Sequence, residues 1–558
     1  MVHHLQHIAD LVEICRLKGI EQVVVSPGSR NAPLIRLFAN EKSFRLHSIV
    51  DERSAAFYGL GISLATQKLV VLLCTSGTAV LNYAPALAEA YYQHIPLIAI
   101  TADRPEELID QQDNQTIHQK NIFQNYIKAS LNLVLPVQSS AELEAMHLTI
   151  NNIINISSED IKGPVHINVP IAEPLYVDIP KPSKISVLSE KKKNTNLVDN
   201  EIISSWRKAQ KRMILCGQIP VNKELNELFG IISAQNHAVI LAEPISNING
   251  GKIISAIERT MLIVESDDSP EYQPDLLVSI GGPVVSKRLK QWLQKQTGLT
   301  HYRISETEDR IDTYQNLTKN VIGEPLEIIT ALLEMQDVSE EYFLKKWENV
   351  ASISFERQNE FLVNVPFSDL KVFDFVINNL SKDCVLHLGN SSPIRYGQLF
   401  DLSGCSVVCS NRGVSGIDGC LSTAAGFASQ SDQINIIILG DLSFLYDSNG
   451  LWNRELSPNL RIIVINNQGG GIFSLISGAS DENYFKEFME AYHPVDLEKL
   501  TVSYGVNYYQ ANCQNELDRI FKQFLNFNGP SLLEIKTPKE ENPIVFKEHI
   551  RKIKTNKS

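Results

Sequence analysis

Two stretches near the carboxyl end of this sequence place oxygen donors where apolar runs stop. INIIILGD (434–441) finishes on Gly440 and Asp441, and LRIIVINNQGGG (460–471) carries Asn466 and Asn467 ahead of three glycines. β-Branched runs of this kind read as strands. A carboxylate and a carboxamide 26 residues apart then stand at two strand ends and converge if those strands are neighbours. Hard oxygen donors suit Mg²⁺, which keeps few protein ligands and takes the rest from phosphate and water. Glycines at 469–471 let backbone approach a diphosphate closely. Gly-Asp and Asn-Asn are also ordinary turn chemistry; their pairing after two apolar runs is what points to a metal–diphosphate site.

Other charged residues fall at comparable places. Glu52, in IVDERSAAFYGLG, stands at an expected strand-to-helix turn, where an isolated glutamate reads as a first-turn residue facing the helix dipole. Arg30, Arg104, Arg395 and Arg412 are expected in Gly/Ser/Pro-containing loops after strands. The planar arginine fork grips carboxylates with two hydrogen bonds. A single loop arginine is usually a solvated surface charge; four so placed indicate anionic substrates. His3 and His4 are expected in the first helix, away from any post-strand loop, and His118 reads best as structural.

The elements that must position these residues alternate between strand and helix patterns almost end to end, the pattern of βαβ units and parallel sheets. Expected strands are 21–26, 69–74, 96–101 and 165–169, then 212–217, 237–242, 275–282 and 301–305, then 383–389, 406–411, 434–441, 460–467 and 530–535. Ligand sites in such sheets lie beyond the strand carboxyl ends. The polar, Pro-containing stretch 181–200 reads as a linker. The economical division is 1–180, the linker 181–200, 201–355 and 356–558: three doubly wound α/β domains.

Composition narrows the partners. The 558 residues are 43 % hydrophobic and 21 % charged, with a net charge of −13, an ordinary globular balance lacking the basic footprint of nucleic-acid or anionic-membrane binding. The longest apolar runs, such as 69–74, are strand-sized rather than bilayer-sized. Leu5, Ile8, Val12 and Cys15 give the first residues a helical period rather than that of a signal peptide. The eight cysteines show no CxxC pair and no zinc-type spacing, which favours a reduced, cytoplasmic setting. No Walker loop or strand-to-helix GxGxxG supports ATP or dinucleotide chemistry.

Asp441 with Asn467 resembles the diphosphate–Mg²⁺ motif of thiamine-diphosphate-dependent enzymes, departing at Leu442, where many members have a second glycine. Glu52 matches the glutamate that touches the aminopyrimidine in that superfamily. SPGSRNAPL (26–34), CTSGTAVLNYAPALAEA (74–90), TADRPEEL (101–108), DNQTIHQ (113–119), GPVHINVPIAEPLY (163–176), SKRL (286–289), NRGVSGIDG (411–419) and NNQGGGIFSL (466–475) look like its carboligase branch in menaquinone biosynthesis. The likeness is dense in the first and last thirds and thin between. It implies thiamine diphosphate with Mg²⁺, or Mn²⁺, as cofactor, and decarboxylation of 2-oxoglutarate with addition of the succinyl unit to isochorismate. The implied metal ligands are Asp441, Asn467 and Gly469. Implied cofactor contacts are Glu52, also the catalytic residue, with Ser391, Ile417, Gly440, Asp441, Asn467, Gly470, Ile472 and Phe473. Implied substrate contacts are Ser29, Arg30, Arg104, Asn114, Gln115, Lys287, Arg288, Arg395, Arg412 and Phe473. The resemblance also implies a homodimer or homotetramer with sites between chains. Two alternatives stay open: an acetolactate-synthase-like carboligase with a less cationic pocket, and a catalytically silent cofactor-binding protein.

Overall fold

The computed structural model describes residues 3–134, 137–159, 161–188, 199–267, 269–335, 339–471 and 485–555. Three parallel sheets organise them. The first contains β1 (Gln22–Val25), β2 (Arg45–Ser48), β3 (Val70–Cys74), β4 (Leu97–Asp103), β5 (Ala129–Asn132) and β6 (Val165–Pro170), in the order β2-β1-β3-β4-β6-β5. The second contains β7 (Arg212–Cys216), β8 (Val239–Ala242), β9 (Leu276–Ile280), β10 (Thr300–Ser305) and β11 (Leu317–Ile322), ordered β11-β10-β9-β7-β8. The third contains β12 (Val385–Leu388), β13 (Val407–Cys409), β14 (Asn435–Gly440), β15 (Leu460–Asn466), β16 (Asn507–Ala511) and β17 (Ser531–Lys536), ordered β13-β12-β14-β15-β17-β16. The first and third sheets therefore share one topology, and the three-domain α/β expectation holds.

Four strands escaped the sequence reading: β2, β5, β11 and β16. Each lies at a sheet edge, where one side lacks a strand neighbour and the apolar run is broken, as in half-buried ASLN of β5. Interior strands such as β3 (VVLLC) are buried throughout, the continuous apolar pattern of a sheet covered on both faces. One local expectation also changes. His3 and His4 precede the first helix, Gln6–Leu17, rather than lying in it. A single helix, Glu341–Val363, runs across the expected division between 355 and 356. Residues 189–198 of the expected linker lie outside the described residues.

The first and third sheets are joined by one apolar core. Its centre is the contact of helix Glu52–Thr66, buried from Ser54 to Ser63, with helix Cys420–Ala428, buried throughout. A Cβ on Gly61 would fall 2.0 Å from Thr423 O, and one on Gly426 would fall 2.0 Å from Tyr58 O. Only glycine permits this backbone-to-backbone approach, which sets the start of helix Glu52–Thr66 against the third domain.

Candidate active site

In a doubly wound sheet, ligands bind outside the strand carboxyl ends where the strand order reverses. In the third sheet that point lies between β12 and β14. β14 passes directly into helix Asp441–Tyr446 with Gly440 as its N-cap, and a Cβ on Gly440 would meet open space. Asp441 is 2 % exposed. Its Oδ1 accepts from the Leu442 amide at 2.7 Å and its Oδ2 from the Gly469 amide at 2.8 Å. β14 and β15 are paired neighbours, so the two stretches do converge. Gly469 has φ 144°, and a Cβ there would lie 2.3 Å from Glu490 O; this position requires glycine. The Gly470 amide donates to that same carbonyl at 2.5 Å, and the Glu490 carboxylate meets Lys539 Nζ at 2.6 Å.

Asn467, 8 % exposed, donates from Nδ2 to Asp369 Oδ2 at 3.2 Å. No hydrogen bond among the described residues uses its Oδ1. Asp369 is buried at the start of helix Asp369–Asn378, where its Oδ1 accepts from Thr537 Oγ1 at 2.6 Å and Asn542 Nδ2 at 3.0 Å. Burial pushes its carboxyl up to about 6. His493 Nε2 stands 3.2 Å from Asp441 Oδ2. The donors offered to a cation are one carboxylate, one amide oxygen and the Gly469 carbonyl, a hard set that fits Mg²⁺ beside a diphosphate. Among the described residues no group of three or more His, Cys, Asp or Glu offers a rival metal site. Ile472 and Phe473 lie outside the described residues.

Glu52 opens helix Glu52–Thr66. Asp51 caps that helix, its Oδ1 accepting from the Ser54 amide at 3.0 Å. Half-buried Glu52 has its carboxyl raised above the ordinary range, because burial disfavours the charge. Its neighbours reach the third domain of the same chain: Asn449 Nδ2 donates to Asp51 Oδ2 at 2.7 Å, and Arg53 Nη2 donates to Tyr446 O at 2.7 Å. Tyr446 closes the six-residue helix that Asp441 begins, a span of roughly 9 Å by helical rise.

The expected arginines form two pairs. Arg30, buried in the turn after β1, donates from Nη1 to Ile171 O at 2.8 Å and from Nη2 to Glu173 Oε1 at 3.1 Å. Arg104, directly after β4, lies 3.8 Å from that same carboxylate oxygen and donates to Asn114 O at 2.8 Å. The turns after β1 and β3 flank the reversal point of the first sheet. There Arg30 Nε, Asn31 Oδ1, Thr75 Oγ1 and Ser76 Oγ are buried without hydrogen-bond partners among the described residues, which is unusual unless a ligand supplies them. Ser29, Asn114 and Gln115 are exposed beside it, and Gln119 Oε1 ties their loop to the Gly77 amide at 2.9 Å.

The second pair lies after β12 and β13. Arg412 Nη1 donates to Asn390 Oδ1 at 2.8 Å, and Arg395 Nη1 donates to Ser391 O at 2.6 Å. Arg395 is in the last turn of helix Ser392–Gly397 rather than in a loop; Pro393 suits a helix first turn, so the Ser/Pro stretch starts a helix instead of avoiding one. Ser391 precedes that helix with φ 76°. Ile417 is half-buried, its carbonyl accepting from Ser443 Oγ at 3.0 Å. The remaining two expected contacts belong to the middle domain. Arg288 is ion-paired with Glu258 at 2.8 Å and Glu265 at 2.5 Å, and Lys287 is exposed at the start of helix Lys287–Gln294. Exposed His118 pairs with Asp110 at 2.9 Å.

Several residues went unseen in the sequence. Asp369, Glu89, Glu173 and His493 lie far along the chain from what they touch, and only Glu173 and Glu89 fall in stretches singled out by resemblance, neither of them as a site residue.

Comparison with known proteins agrees with this geometry. Residues 7–125 match the thiamine pyrophosphate enzyme N-terminal TPP binding domain, 182–384 the middle domain of thiamine pyrophosphate, and 398–535 the C-terminal TPP binding domain. The chain is 38 % identical over 550 residues to the 2-succinyl-5-enolpyruvyl-6-hydroxy-3-cyclohexene-1-carboxylate synthase of Flavobacterium johnsoniae, covering 97 % of this chain and 98 % of that one. It is 40 % identical over 536 residues to the synthase of Desulfotalea psychrophila (95 % and 98 %) and 34 % over 559 residues to that of Porphyromonas gingivalis (97 % and 96 %). With three family domains in order and relatives matched nearly end to end, the chain belongs to the thiamine pyrophosphate enzymes and, among them, to the 2-succinyl-5-enolpyruvyl-6-hydroxy-3-cyclohexene-1-carboxylate synthase family.

Proposed function

We propose that this chain decarboxylates 2-oxoglutarate and joins the succinyl unit to isochorismate, forming the product for which its relatives are named, in menaquinone biosynthesis. The observation that carries the reading is the buried Asp441, bonded to Gly469 and set beside Asn467, at the reversal point of the third sheet. When bound, thiamine diphosphate supplies the nucleophilic carbon and the electron sink for loss of CO₂. Asp441, Asn467 Oδ1 and the Gly469 carbonyl hold Mg²⁺ or Mn²⁺, while Gly440 and Gly470 leave room for the diphosphate. Ile417 would press on the cofactor with Ser391 beside it; Ile472 and Phe473, outside the described residues, join this set by resemblance. Glu52 holds a proton against the aminopyrimidine, a role helped by burial that disfavours its charge. Both substrates are dianions and the chain is acidic overall, so local cations must offset its field. Arg30 with Arg104, and Arg395 with Arg412, supply them, with Ser29, Asn114, Gln115, Lys287 and Arg288 as further contacts.

The same reading makes the protein cytoplasmic, takes 1–180, 201–355 and 356–558 as its domains, and closes each site between two chains of a homodimer or homotetramer, Glu52 of one facing Asp441 of another. Exposed Val50, Leu81, Val414, Tyr446 and Trp452 are apolar surface that a second copy would cover.

Incubation with thiamine diphosphate, Mg²⁺, 2-oxoglutarate and isochorismate should give the succinylated adduct by mass. Product from pyruvate alone would indicate an acetolactate-type enzyme, and no product a silent binding protein. Glu52→Gln and Asp441→Ala chains, each inactive, should recover partial activity when refolded together; no recovery despite verified mixing rules out shared sites.

A further inference from the structure

We propose that Asp369 is a positioning residue for the cation site: its carboxylate fixes the rotation of the Asn467 amide so that Oδ1, not Nδ2, faces the metal. This rests on the reading of Asn467 as a cation ligand. A carboxamide offers an oxygen on one side and an NH₂ on the other, and only the oxygen can coordinate Mg²⁺. Its two orientations are nearly the same shape, so a neighbour must choose between them.

The choice is made by a relay of hydrogen bonds that begins at the backbone. The Asp369 amide donates to Asn542 Oδ1 at 2.8 Å, which turns Asn542 Nδ2 toward the Asp369 carboxylate at 3.0 Å. Thr537 Oγ1 donates to the same Oδ1 at 2.6 Å. The remaining oxygen, Oδ2, accepts from Asn467 Nδ2 at 3.2 Å, leaving Asn467 Oδ1 on the other side. Asp369, Thr537 and Asn542 are all buried, so water does not compete for these partners.

The relay makes a sign-specific prediction for Asp369→Asn. Asn542 still demands an oxygen, so the NH₂ of the substituted side chain must face Asn467. Asn467 then turns its own oxygen inward to accept from it and presents NH₂ to the cation. Hydrogen bonds are conserved, so folding survives while coordination is lost. Adding Asn467→Asp repairs the site, because a carboxylate at position 467 accepts from the amide at position 369 with one oxygen and coordinates with the other. The net charge of the pair equals that of the original.

The test is Mn²⁺ binding by electron paramagnetic resonance, read with and without thiamine diphosphate, with urea midpoints measured alongside. Wild type should bind Mn²⁺ in a thiamine-diphosphate-dependent manner. D369N should keep a near-normal midpoint and weaken Mn²⁺ about 10–100-fold, the usual effect of losing a group that orients a ligand, and D369N/N467D should regain most of that. A merely structural role would lower the midpoint of both variants and give no rescue. Wild-type affinity in D369N, or a folded double variant that fails to recover, overturns the inference while the cation-site reading stands. A wild type that binds no Mn²⁺ with thiamine diphosphate overturns both.

Discussion

Glu89 should control the anion pocket proposed at Arg412 without touching an anion. It sits in helix Ala84–Gln93 of the first domain and is 1 % exposed. Its two carboxylate oxygens accept from the Gly413 and Val414 amides of the third domain at 2.7 and 2.8 Å. Those amides immediately follow Arg412, in the loop that continues to Ile417. Glu89→Ala removes these two interdomain hydrogen bonds to a charged group, worth about 1.5–3 kcal/mol each, together with the one its carboxylate accepts from Gln93 Nε2 in its own helix. Part is returned because a buried carboxylate no longer has to be desolvated, the effect that raises the Glu89 carboxyl above its ordinary range. The net loss should be about 2–4 kcal/mol, and Glu89→Gln, which keeps one acceptor oxygen, should lose about half as much. Urea denaturation should order the proteins wild type, E89Q, E89A. Because the loop carries Arg412, steady-state kinetics should show KM for the dianionic substrates rising in that order, with a smaller change in thiamine diphosphate affinity. An E89A protein with wild-type midpoint and wild-type KM would refute the reasoning.

Three further outcomes are expected. Alanine at Arg30, Arg104, Arg395 or Arg412 should cost substrate use about 1.5–3 kcal/mol each, as expected for a charged hydrogen bond, and leave cofactor affinity much less changed; calorimetry showing equal loss of thiamine diphosphate binding in all four would show the roles misassigned. Burial raises the Glu52 carboxyl, so the native state holds this proton more tightly than the unfolded chain and loses stability as pH rises through the native value. Glu52→Gln should therefore melt at or above wild type at alkaline pH, with the gap closing toward acid, and thermal melts across pH check this. Gly469→Ala places a methyl against Glu490 O in a left-handed conformation; about 1–3 kcal/mol of overpacking and loss of thiamine-diphosphate-dependent Mn²⁺ binding should follow, measured by urea titration and calorimetry.

Much of the architecture was legible because parallel sheets bury their central strands on both faces. VVLLC and the apolar run ending at Asn466 announce themselves as strands, and the donors at their carboxyl ends follow. Four of the six edge strands were illegible for the same reason: with one side unpaired, ASLN at 129–132 or NYYQA at 507–511 need not be continuously apolar, whereas the edge strand VILA at 239–242 is buried throughout and was legible. Arg395 was misplaced on a helix boundary, where a proline that often breaks helices instead starts one.

Local order along the chain determined which residue types stand at or just beyond the strand ends: Asp441, Asn467, the glycines after it, Arg30, Arg104 and Arg412. Only the tertiary structure decided their company. The pairing of Arg30 with Arg104 around Glu173, the grip of Glu89 on 413–414 and the turn of Asn467 toward Asp369 join residues about 70 to 325 positions apart. No spacing rule spans such distances; they follow from how sheets, helices and the close Gly61–Gly426 approach pack the domains, because a buried polar group takes whichever partner the fold brings to it.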